Sequence, residues 1–487
     1  MTLYNHEKNK IYFGSTNKLS DWEKDKLDQN KIIDKVKLML KNYLELDNVS
    51  FLFGTGTSIH LGAVSVRNFP KEVEEYIEKQ DSIIAGIQNE FLATVKCLQS
   101  DFLEYGKERI EKGEKDIFKD IRGWKYGIYE DGTVRDYESE EIAIEYERVL
   151  NYLIAKDFVL SEDKSKKRTD KISELIAVIK EGLFNVCDLE KRSVPKAIID
   201  RKKASLSEKD KEQGDLLEKR SKYIYHEKFI KALLQRPLNL RRANIFTSNY
   251  DLAFEYAFDK LGVHYIDGFA GFHKRFFKPE TFEYDIFYPG STTSGKVQRI
   301  EKVLRYFKLH GSISWINSES RDANNLYGIE EKPLELIEIL KKKGDVIIYP
   351  STVKKSYTLD LPYSELFRQF ASTITQSQSV LFTIGYSFGD DHFNDIIYQA
   401  LSNPTFTLII VDYNGTNNEN IKMMKELNDP RIIILEGDFF GDFLSFSDTL
   451  MPNFNNIDNS EKVANTLNEL LSLKVNETEQ NKEPENE

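Results

Sequence analysis

The feature that most constrains the fold is a short apolar run that ends in closely spaced glycines. Residues 49–53 are typical of a buried parallel strand, and Gly54, Gly56 and Gly62 follow them. The first glycine permits a sharp turn, and the second removes a Cβ that would keep a ligand away from the main chain. Such a turn is how a dinucleotide-binding loop begins, although by itself it is equally typical of an ordinary loop. No acidic residue ends a second strand about 20 residues later, so the pattern of the dinucleotide-dependent dehydrogenases is absent.

Composition excludes several classes of protein. The 487 residues are enough for two or three domains, and 40% hydrophobic with 30% charged residues is typical of a soluble globular protein. A net charge of −12 argues against sequence-specific nucleic-acid binding, and no apolar run is long enough to span a membrane. Two cysteines, Cys97 and Cys187, are too few for a disulfide framework or a four-thiolate zinc site. The small number of cysteines, and the lack of a signal-peptide pattern in the first residues, favour a cytoplasmic location.

Changes in composition divide the chain into four predicted segments. Residues 1–70 hold an N-terminal helix, predicted over 20–46, and the first strand with its Gly-rich loop. Residues 71–240 are charged and have helical periodicity, which predicts a helical insertion or second domain. Residues 241–450 complete the α/β domain, and residues 451–487 form a C-terminal helix and an acidic disordered tail.

Strands and helices alternate regularly from residue 243 onward. The predicted strands are 243–247, 304–309, 346–349, 380–384, 406–411 and 432–435. This alternation predicts an α/β fold with a Rossmann-like, mostly parallel sheet, helices on both faces and a large helical insertion.

Polar side chains recur where these strands end. They are Thr55, Ser58, Asn249, Asp251, His310, Ser387 and Asp412. In open α/β sheets ligands bind outside the carboxyl ends of the strands, so this shared position predicts a binding site.

Each of these residues also has a purely structural interpretation. Asn249, Asp251 and Ser387 are good helix caps, and His310 precedes a Gly-Ser turn. Asp412 is followed by residues typical of a turn. Among the other histidines, His392 is interpreted as structural near a helix start, and no recognisable pattern surrounds the remaining five, His6, His60, His226, His264 and His273.

Four motifs, in order along the chain, resemble the sirtuin family. They are Gly54-Thr55-Gly56-Thr57-Ser58 with Gly62 and Arg67, Thr247-Ser248-Asn249-Tyr250-Asp251, His310-Gly311-Ser312, and Gly385-Tyr386-Ser387. In that family the corresponding patterns are Gly-Ala-Gly-x-Ser with a later Gly and Arg, Thr-Gln-Asn-x-Asp, the catalytic His-Gly, and Gly-Thr-Ser.

The departures from the family pattern point to one branch of it. Sirtuin deacylases carry four zinc-binding cysteines after the catalytic histidine, and this chain has none there. Their Pro-Asp-Phe before the arginine is replaced by Val64-Ser65-Val66, so the acyl-lysine channel has no recognisable support. Together with these departures, the stretches from Ile245 to Asp251 and from Gly385 to His392 resemble the zinc-ribbon-free, sirtuin-like NAD hydrolases of prokaryotic antiphage defence. Some of those act with a partner ATPase of the HerA type, and others with a phage-sensing protein.

The resemblance implies an NAD glycohydrolase that cleaves NAD, as its substrate, to nicotinamide and ADP-ribose without a metal. It also implies abortive infection through NAD depletion, gated by homo-oligomerisation or by a partner. Two alternatives stay open. One is a protein deacylase or ADP-ribosyltransferase, and the other is a non-catalytic sensor of NAD or ADP-ribose.

The resemblance also implies a role for each motif residue. His310 is expected to be the general base, Asn249 to bind the ribose or a water below its anomeric carbon, and Asp251 to orient that region. The expected NAD-binding residues are Gly54, Thr55, Gly56, Ser58, Arg67, Gly385, Ser387 and Asp412. Main-chain N–H groups of residues 54–58 are expected to cradle a phosphate.

Overall fold

A computed structural model gives the fold of the chain. It describes residues 4–25, 27–64, 69–95, 97–98, 126–128, 134–136, 146–162, 170–196, 198, 221–288, 298–318, 325–344, 346 and 361–452. Arg67, all but the first residue of the predicted strand 346–349, and the predicted C-terminal helix lie outside these residues.

Strands are distributed over almost the whole described chain. They are β1 Lys10–Phe13, β2 Thr16–Asn17, β3 Asn48–Phe53, β4 Tyr126–Ile128, β5 Val134–Asp136, β6 Asn244–Thr247, β7 His264–Ile266, β8 Phe269–Ala270, β9 Arg275–Phe277, β10 Val303–Lys308, β11 Trp315–Asn317, β12 Ile329–Glu331, β13 Ser379–Ile384, β14 Thr407–Asp412 and β15 Ile432–Glu436.

Nine of these strands form one large sheet in the order β2-β1-β15-β14-β13-β3-β6-β10-β7. The strands from β15 to β7 all run parallel, and β1 with β2 adds an antiparallel edge. This arrangement confirms the predicted Rossmann-like, mostly parallel sheet. The strands β8, β9, β11 and β12 form a smaller antiparallel sheet, and β4 pairs with β5.

Helices connect the strands. They are α1 Lys18–Lys24, α2 Gln29–Leu44, α3 Phe69–Gln80, α4 Tyr146–Glu162, α5 Asp170–Cys187, α6 Ile224–Leu233, α7 Ala253–Leu261, α8 Leu334–Leu340, α9 Tyr363–Ile374, α10 Asp391–Leu401, α11 Glu419–Glu426 and α12 Phe443–Ser445. Residues 87–95 are helical as well. No helix in the described ranges is both long and apolar enough to cross a membrane.

The prediction of a single N-terminal helix over residues 20–46 is wrong, because two helices occupy this stretch. Asn17 caps α1, and α1 ends at Lys24. The side chain of Asp28 then accepts a hydrogen bond from the Lys31 N–H and begins α2. A capping carboxylate inside an otherwise periodic apolar pattern therefore separates the helices.

Helices cover both faces of the large sheet, because alternate side chains of each central strand point to opposite sides. Phe51 and Phe53 of β3 pack against Phe229 of α6 on one face. Phe246 of β6 packs against Phe370 of α9 on the other face. The central strands are thus apolar on both faces, and their polar groups lie beyond the strand ends.

A third apolar core joins the helices α3, α4, α5 and 87–95 with Ile316 of β11 and Ile337 of α8, and it is distinct from the two cores on the sheet faces. The helix α6 belongs with the sheet instead, since its Phe229 ring lies 5.1 Å from that of Phe51. The predicted division of the chain at residues 70, 240 and 450 remains a prediction.

Candidate functional site

The sheet order brings the separate motifs to one edge. The strands β14, β13, β3, β6 and β10 are consecutive neighbours. Asp412, Gly385, Gly54, Asn249 and His310 therefore lie at the carboxyl ends of five adjacent strands. The chain order reverses between β3 and β13, and this is the position where open α/β sheets bind ligands.

At the reversal point, three glycines form a close contact between the two loops. The Gly54 N–H donates to the Ile384 carbonyl at 3.1 Å, and the Gly56 N–H donates to the Gly385 carbonyl at 3.0 Å. A Cβ on Gly56 would lie 2.7 Å from the Gly385 Cα, and Gly385 itself has a φ of +60°. Glycine is therefore required here for main-chain packing between β3 and β13, whatever the loop binds.

The expected cradle of main-chain N–H groups is largely used within the protein. Besides Gly54 and Gly56, the Thr57 N–H donates to the Gly54 carbonyl at 3.1 Å, and the Ser58 N–H donates to the Thr55 carbonyl at 2.9 Å. Of the five, only the Thr55 N–H has no acceptor among the described residues. A phosphate at this loop would thus meet one free amide rather than five.

Asn249 connects the Gly-rich loop to β6. Its Nδ2 donates to the Gly54 carbonyl at 3.1 Å and lies 3.4 Å from Thr57 Oγ1 and 3.3 Å from Ser58 Oγ. The contact with Gly54 fixes the orientation of the amide, because a carbonyl oxygen can only accept. Asn249 Oδ1 is buried and has no partner among the described residues. An unpaired buried acceptor costs about 1–3 kcal/mol, which a ligand hydroxyl would relieve.

Asp251 is both a helix cap and part of this cluster. Its carboxylate accepts a hydrogen bond from the Ala253 N–H at 3.0 Å. Desolvation raises the pKa of the Asp251 carboxyl, and the nearby Lys308 ammonium and Ser58 hydroxyl oppose that rise. Lys308 is itself buried and pairs with Glu255 at 2.7 Å. The two interpretations of Asp251 are therefore compatible.

His310 contacts a second histidine that the sequence did not assign to the site. Its Nε2 lies 3.0 Å from the Nε2 of His392, and the two residues are only 4% and 9% exposed. The rings of Phe393 and Tyr250 lie 4.9 Å and 6.3 Å from the His310 ring. His392 enters the cluster because α10 begins directly after the loop that follows β13. Its position at a strand end was the available signal.

A carboxylate completes this group. Asp390 precedes α10, and one ligand atom from each of His310, Asp390 and His392 lies within 4.8 Å of the others. Two imidazoles and a carboxylate are a donor set that can hold a metal ion.

Asp412 also has two compatible interpretations. Its Oδ1 accepts hydrogen bonds from the N–H groups of Asn414 and Gly415 at 2.9 Å and 2.8 Å, as the turn interpretation expects. Burial raises the pKa of Asp412 to about 6, and the neighbouring Glu436 contributes in the same direction.

Ser387 lies apart from the buried cluster. Its side chain is exposed, and its carbonyl accepts a hydrogen bond from Asn418 Nδ2 at 3.0 Å, which anchors the loop after β13. Arg67 lies outside the described residues. The structure thus brings Asn249 and Asp251 against the Gly-rich loop and His310 against His392, while Ser387 faces solvent.

A cavity of about 550 Å³ opens beside the second half of the Gly-rich loop. It is lined by Ile59, Gly62, Ala63, Val64, Glu72, Lys191, Arg192, Ser193 and Pro195. Arg192 donates to the Gly62 carbonyl at 3.1 Å and forms a bidentate pair with Glu72 of α3 at 2.9 and 3.1 Å. These bonds connect the helical region to the Gly-rich loop.

One comparison with known proteins identifies this region. Residues 243–432, about two fifths of the chain, match the model of the SIR2-like domain. This stretch includes Asn249, Asp251 and His310 but not the Gly-rich loop. No curated protein matches the chain. The domain match, on a mostly parallel sheet with these residues at its strand ends, supports a sirtuin-like family and an activity related to NAD.

Proposed function

We propose that the chain is an NAD glycohydrolase. Water adds to C1′ of the nicotinamide ribose, the bond from C1′ to the nicotinamide nitrogen breaks, and one proton from the water passes to the protein. Nicotinamide leaves as a neutral molecule, and ADP-ribose is the second product. The observation that carries the proposal is the buried, unpaired Oδ1 of Asn249, one strand away from His310.

The proposed role of Asn249 follows from its hydrogen bonds. Its Nδ2 is held by the Gly54 carbonyl, so its Oδ1 has a fixed direction and accepts from a ribose hydroxyl or from the attacking water. Asp251 lies near Ser58 of the same loop, and its proposed role is to orient that loop. A buried acceptor that only the ligand satisfies favours binding of a hydroxyl-bearing substrate over an apolar one.

The proposed general base is His310, acting with His392. The two Nε2 atoms are 3.0 Å apart, so a proton that one ring accepts can be shared with the other. Positioned proton transfer of this kind contributes roughly 10²–10⁴-fold to a rate.

The remaining proposed contacts hold the rest of NAD. They involve Gly54, Thr55, Gly56, Ser58, Arg67, Gly385, Ser387 and Asp412. Thr55 supplies the available amide of the loop for a phosphate, and Asp412 at the end of β14 suits the hydroxyls of the adenosine ribose. The proposal requires no metal for turnover.

The proposed biological role is abortive infection, in which NAD depletion stops phage growth in an infected cell. We propose that homo-oligomerisation, or a partner such as a HerA-type ATPase or a phage-sensing protein, gates the activity. The chain of contacts from Glu72 through Arg192 to Gly62 supports this gating, because it connects the helical region to the loop of the site. The proposed setting is cytoplasmic.

The test is incubation of the purified chain with NAD, in the presence and absence of the candidate ATPase, with nicotinamide and ADP-ribose separated by chromatography. We expect equal amounts of the two products. Asn249→Ala should lose both turnover and NAD affinity, because it removes the ribose acceptor and loosens the loop. His273→Gln is the matched control, since His273 is exposed and outside the site.

Three outcomes would contradict the proposal. Full activity of Asn249→Ala would remove that residue from the site. Nicotinamide release that requires an acylated peptide or a protein acceptor would indicate a deacylase or an ADP-ribosyltransferase. Binding of NAD without product under all conditions would indicate a sensor.

A further inference from the structure

The cluster of His310, His392 and Asp390 has a second chemical capacity besides proton transfer. The three residues come from two loops that lie on separate strands, β10 and β13, with β3 and β6 between them. Their ligand atoms nevertheless converge within 4.8 Å, and the two histidine Nε2 atoms are 3.0 Å apart. Convergence across four strands is a property of the folded site, not of a local sequence motif.

We propose that His310, His392 and Asp390 bind one divalent transition-metal ion of the zinc class. Zinc binds histidine nitrogen at about 2.0–2.1 Å in tetrahedral geometry, which sets two such nitrogens ~3.3 Å apart. The two Nε2 atoms are 3.0 Å apart, so the two rings need to move apart only slightly to bind the ion. Two imidazoles with one carboxylate favour zinc, cobalt, nickel or copper over magnesium or calcium, which prefer oxygen ligands.

Aromatic packing holds the two imidazoles in place for such an ion. The Phe393 ring lies 4.9 Å from the His310 ring and 4.6 Å from the His392 ring. Phe367 of α9 contacts His392 edge-on at 5.0 Å. Ligands whose rings are already fixed lose little conformational freedom when they bind a metal.

The ion and the transferred proton compete for the same histidine nitrogens. A bound metal therefore takes the lone pair with which His310 would accept a proton from water, and NAD hydrolysis stops. This consequence rests on the proposed function, whereas the binding of the ion does not. Three protein ligands leave the fourth position of the ion to water.

The experiment measures binding without NAD. The full chain is stripped with a chelator and titrated with Co²⁺, followed by its visible absorption, and with Zn²⁺, followed by calorimetry. All proteins carry Cys97→Ser, because the exposed Cys97 thiol is an alternative ligand. We expect one ion per chain and a tetrahedral type of cobalt spectrum.

Two variants and one control locate the site. His392→Gln should weaken Zn²⁺ binding by at least ~10-fold, since loss of even an outer-shell partner costs 10–100-fold. Asp390→Asn leaves the histidine pair intact and should also weaken binding, while His273→Gln should match the parent. Circular dichroism checks that each variant is folded. The proposal is overturned if the parent binds no tighter than His392→Gln, or if His273→Gln loses as much affinity.

A second measurement separates this inference from the proposed function. If the chain hydrolyses NAD, saturating Zn²⁺ should abolish the activity, and a chelator should restore it. Hydrolysis that continues at saturating Zn²⁺ would contradict the expected competition between the ion and the transferred proton for the lone pair of His310. If no hydrolysis is found, the binding data still decide the metal site on their own.

Discussion

Two buried histidine pairs in this protein have nearly the same ring spacing and opposite surroundings. The rings of His310 and His392 are 5.2 Å apart, and those of His60 and His226 are 5.4 Å apart. The first pair lies beyond the strand ends, shares a hydrogen bond and has a carboxylate nearby. The two rings of the second pair stack on each other and pack against the tilted ring of Phe443 in the core on one sheet face.

The surroundings decide what each pair can do. Both ring nitrogens of His226 are buried without a partner among the described residues, and burial lowers the pKa of His226 to about 3. That imidazole stays neutral and acts as a flat packing group. His310 instead faces another nitrogen at hydrogen-bond distance, so a proton can enter or leave the pair. Burial alone therefore does not mark a histidine as functional, whereas a facing polar group at a strand end does.

The largest expected effect separates the two pairs by activity. His310→Ala should lower NAD turnover by roughly 10²–10⁴-fold, because the general base is removed. It should leave NAD affinity nearly unchanged, since His310 acts on the water rather than on the bound cofactor. His226→Leu replaces a packing group by one of similar volume and should retain turnover. Initial rates of nicotinamide release and equilibrium NAD binding test both variants.

Two results for the turnover of these variants would contradict the comparison. Normal turnover in His310→Ala, or loss of turnover in a folded His226→Leu, would mean that the environment does not distinguish the pairs. Asn249→Ala serves as the reference here, because it should lose binding as well as turnover.

The next largest expected effect concerns the second pair and the loss of protein stability at acid pH. His226 has a folded pKa near 3, well below its ordinary value of 6.5, so the unfolded chain binds a proton that the folded chain does not. Its contribution to stability is therefore present above about pH 6.5 and is lost as the pH falls towards 3. Each pKa unit corresponds to about 1.4 kcal/mol, so several kcal/mol depend on this residue.

His226→Leu should remove this part of the acid sensitivity. Urea unfolding of the parent and the variant at pH 7.5 and at pH 5 measures the change in the free energy of unfolding. We expect the variant to lose less stability on acidification. Equal losses in the two proteins would show that His226 does not titrate as its burial indicates.

The sequence predicted most of the sheet and the edge where the motifs meet. Apolar runs that end in polar residues identified β3, β6, β10, β13, β14 and β15, because a parallel strand buried on both faces has a continuous apolar sequence. The strand β1, which lies between β15 and β2, was not predicted from its four residues, because so short a run carries little periodicity.

The contacts within the site were harder to predict. Gly56 was expected to let a phosphate approach, and the structure shows that it also lets the Gly385 main chain approach. His392 was interpreted as structural because it lies near a helix start, and its contact with His310 could not be foreseen, because the two strands that precede them are separated by two others. No periodic pattern in the sequence predicts either contact, because each contact depends on the order of the strands in the sheet.

The smallest expected effect concerns Asp412. Like His310 it lies at a strand end, and like His226 it has a pKa that burial shifts. Its folded pKa is about 6 and its ordinary value is 3.8, so folding favours the protonated carboxyl. The stabilising contribution is present below about pH 3.8 and is lost as the pH rises through 6.

Asp412→Asn keeps an oxygen for the Asn414 and Gly415 N–H groups. It should therefore be more stable relative to the parent at pH 8 than at pH 5 by about 1.4 kcal/mol, because pH 5 lies one unit below the folded pKa. Urea unfolding at the two pH values measures this difference, and NAD affinity at pH 8 provides the second readout. Weaker NAD binding in a stabilised variant would place Asp412 with His310 as a ligand-facing group, whereas unchanged binding would place it with His226 as a structural one.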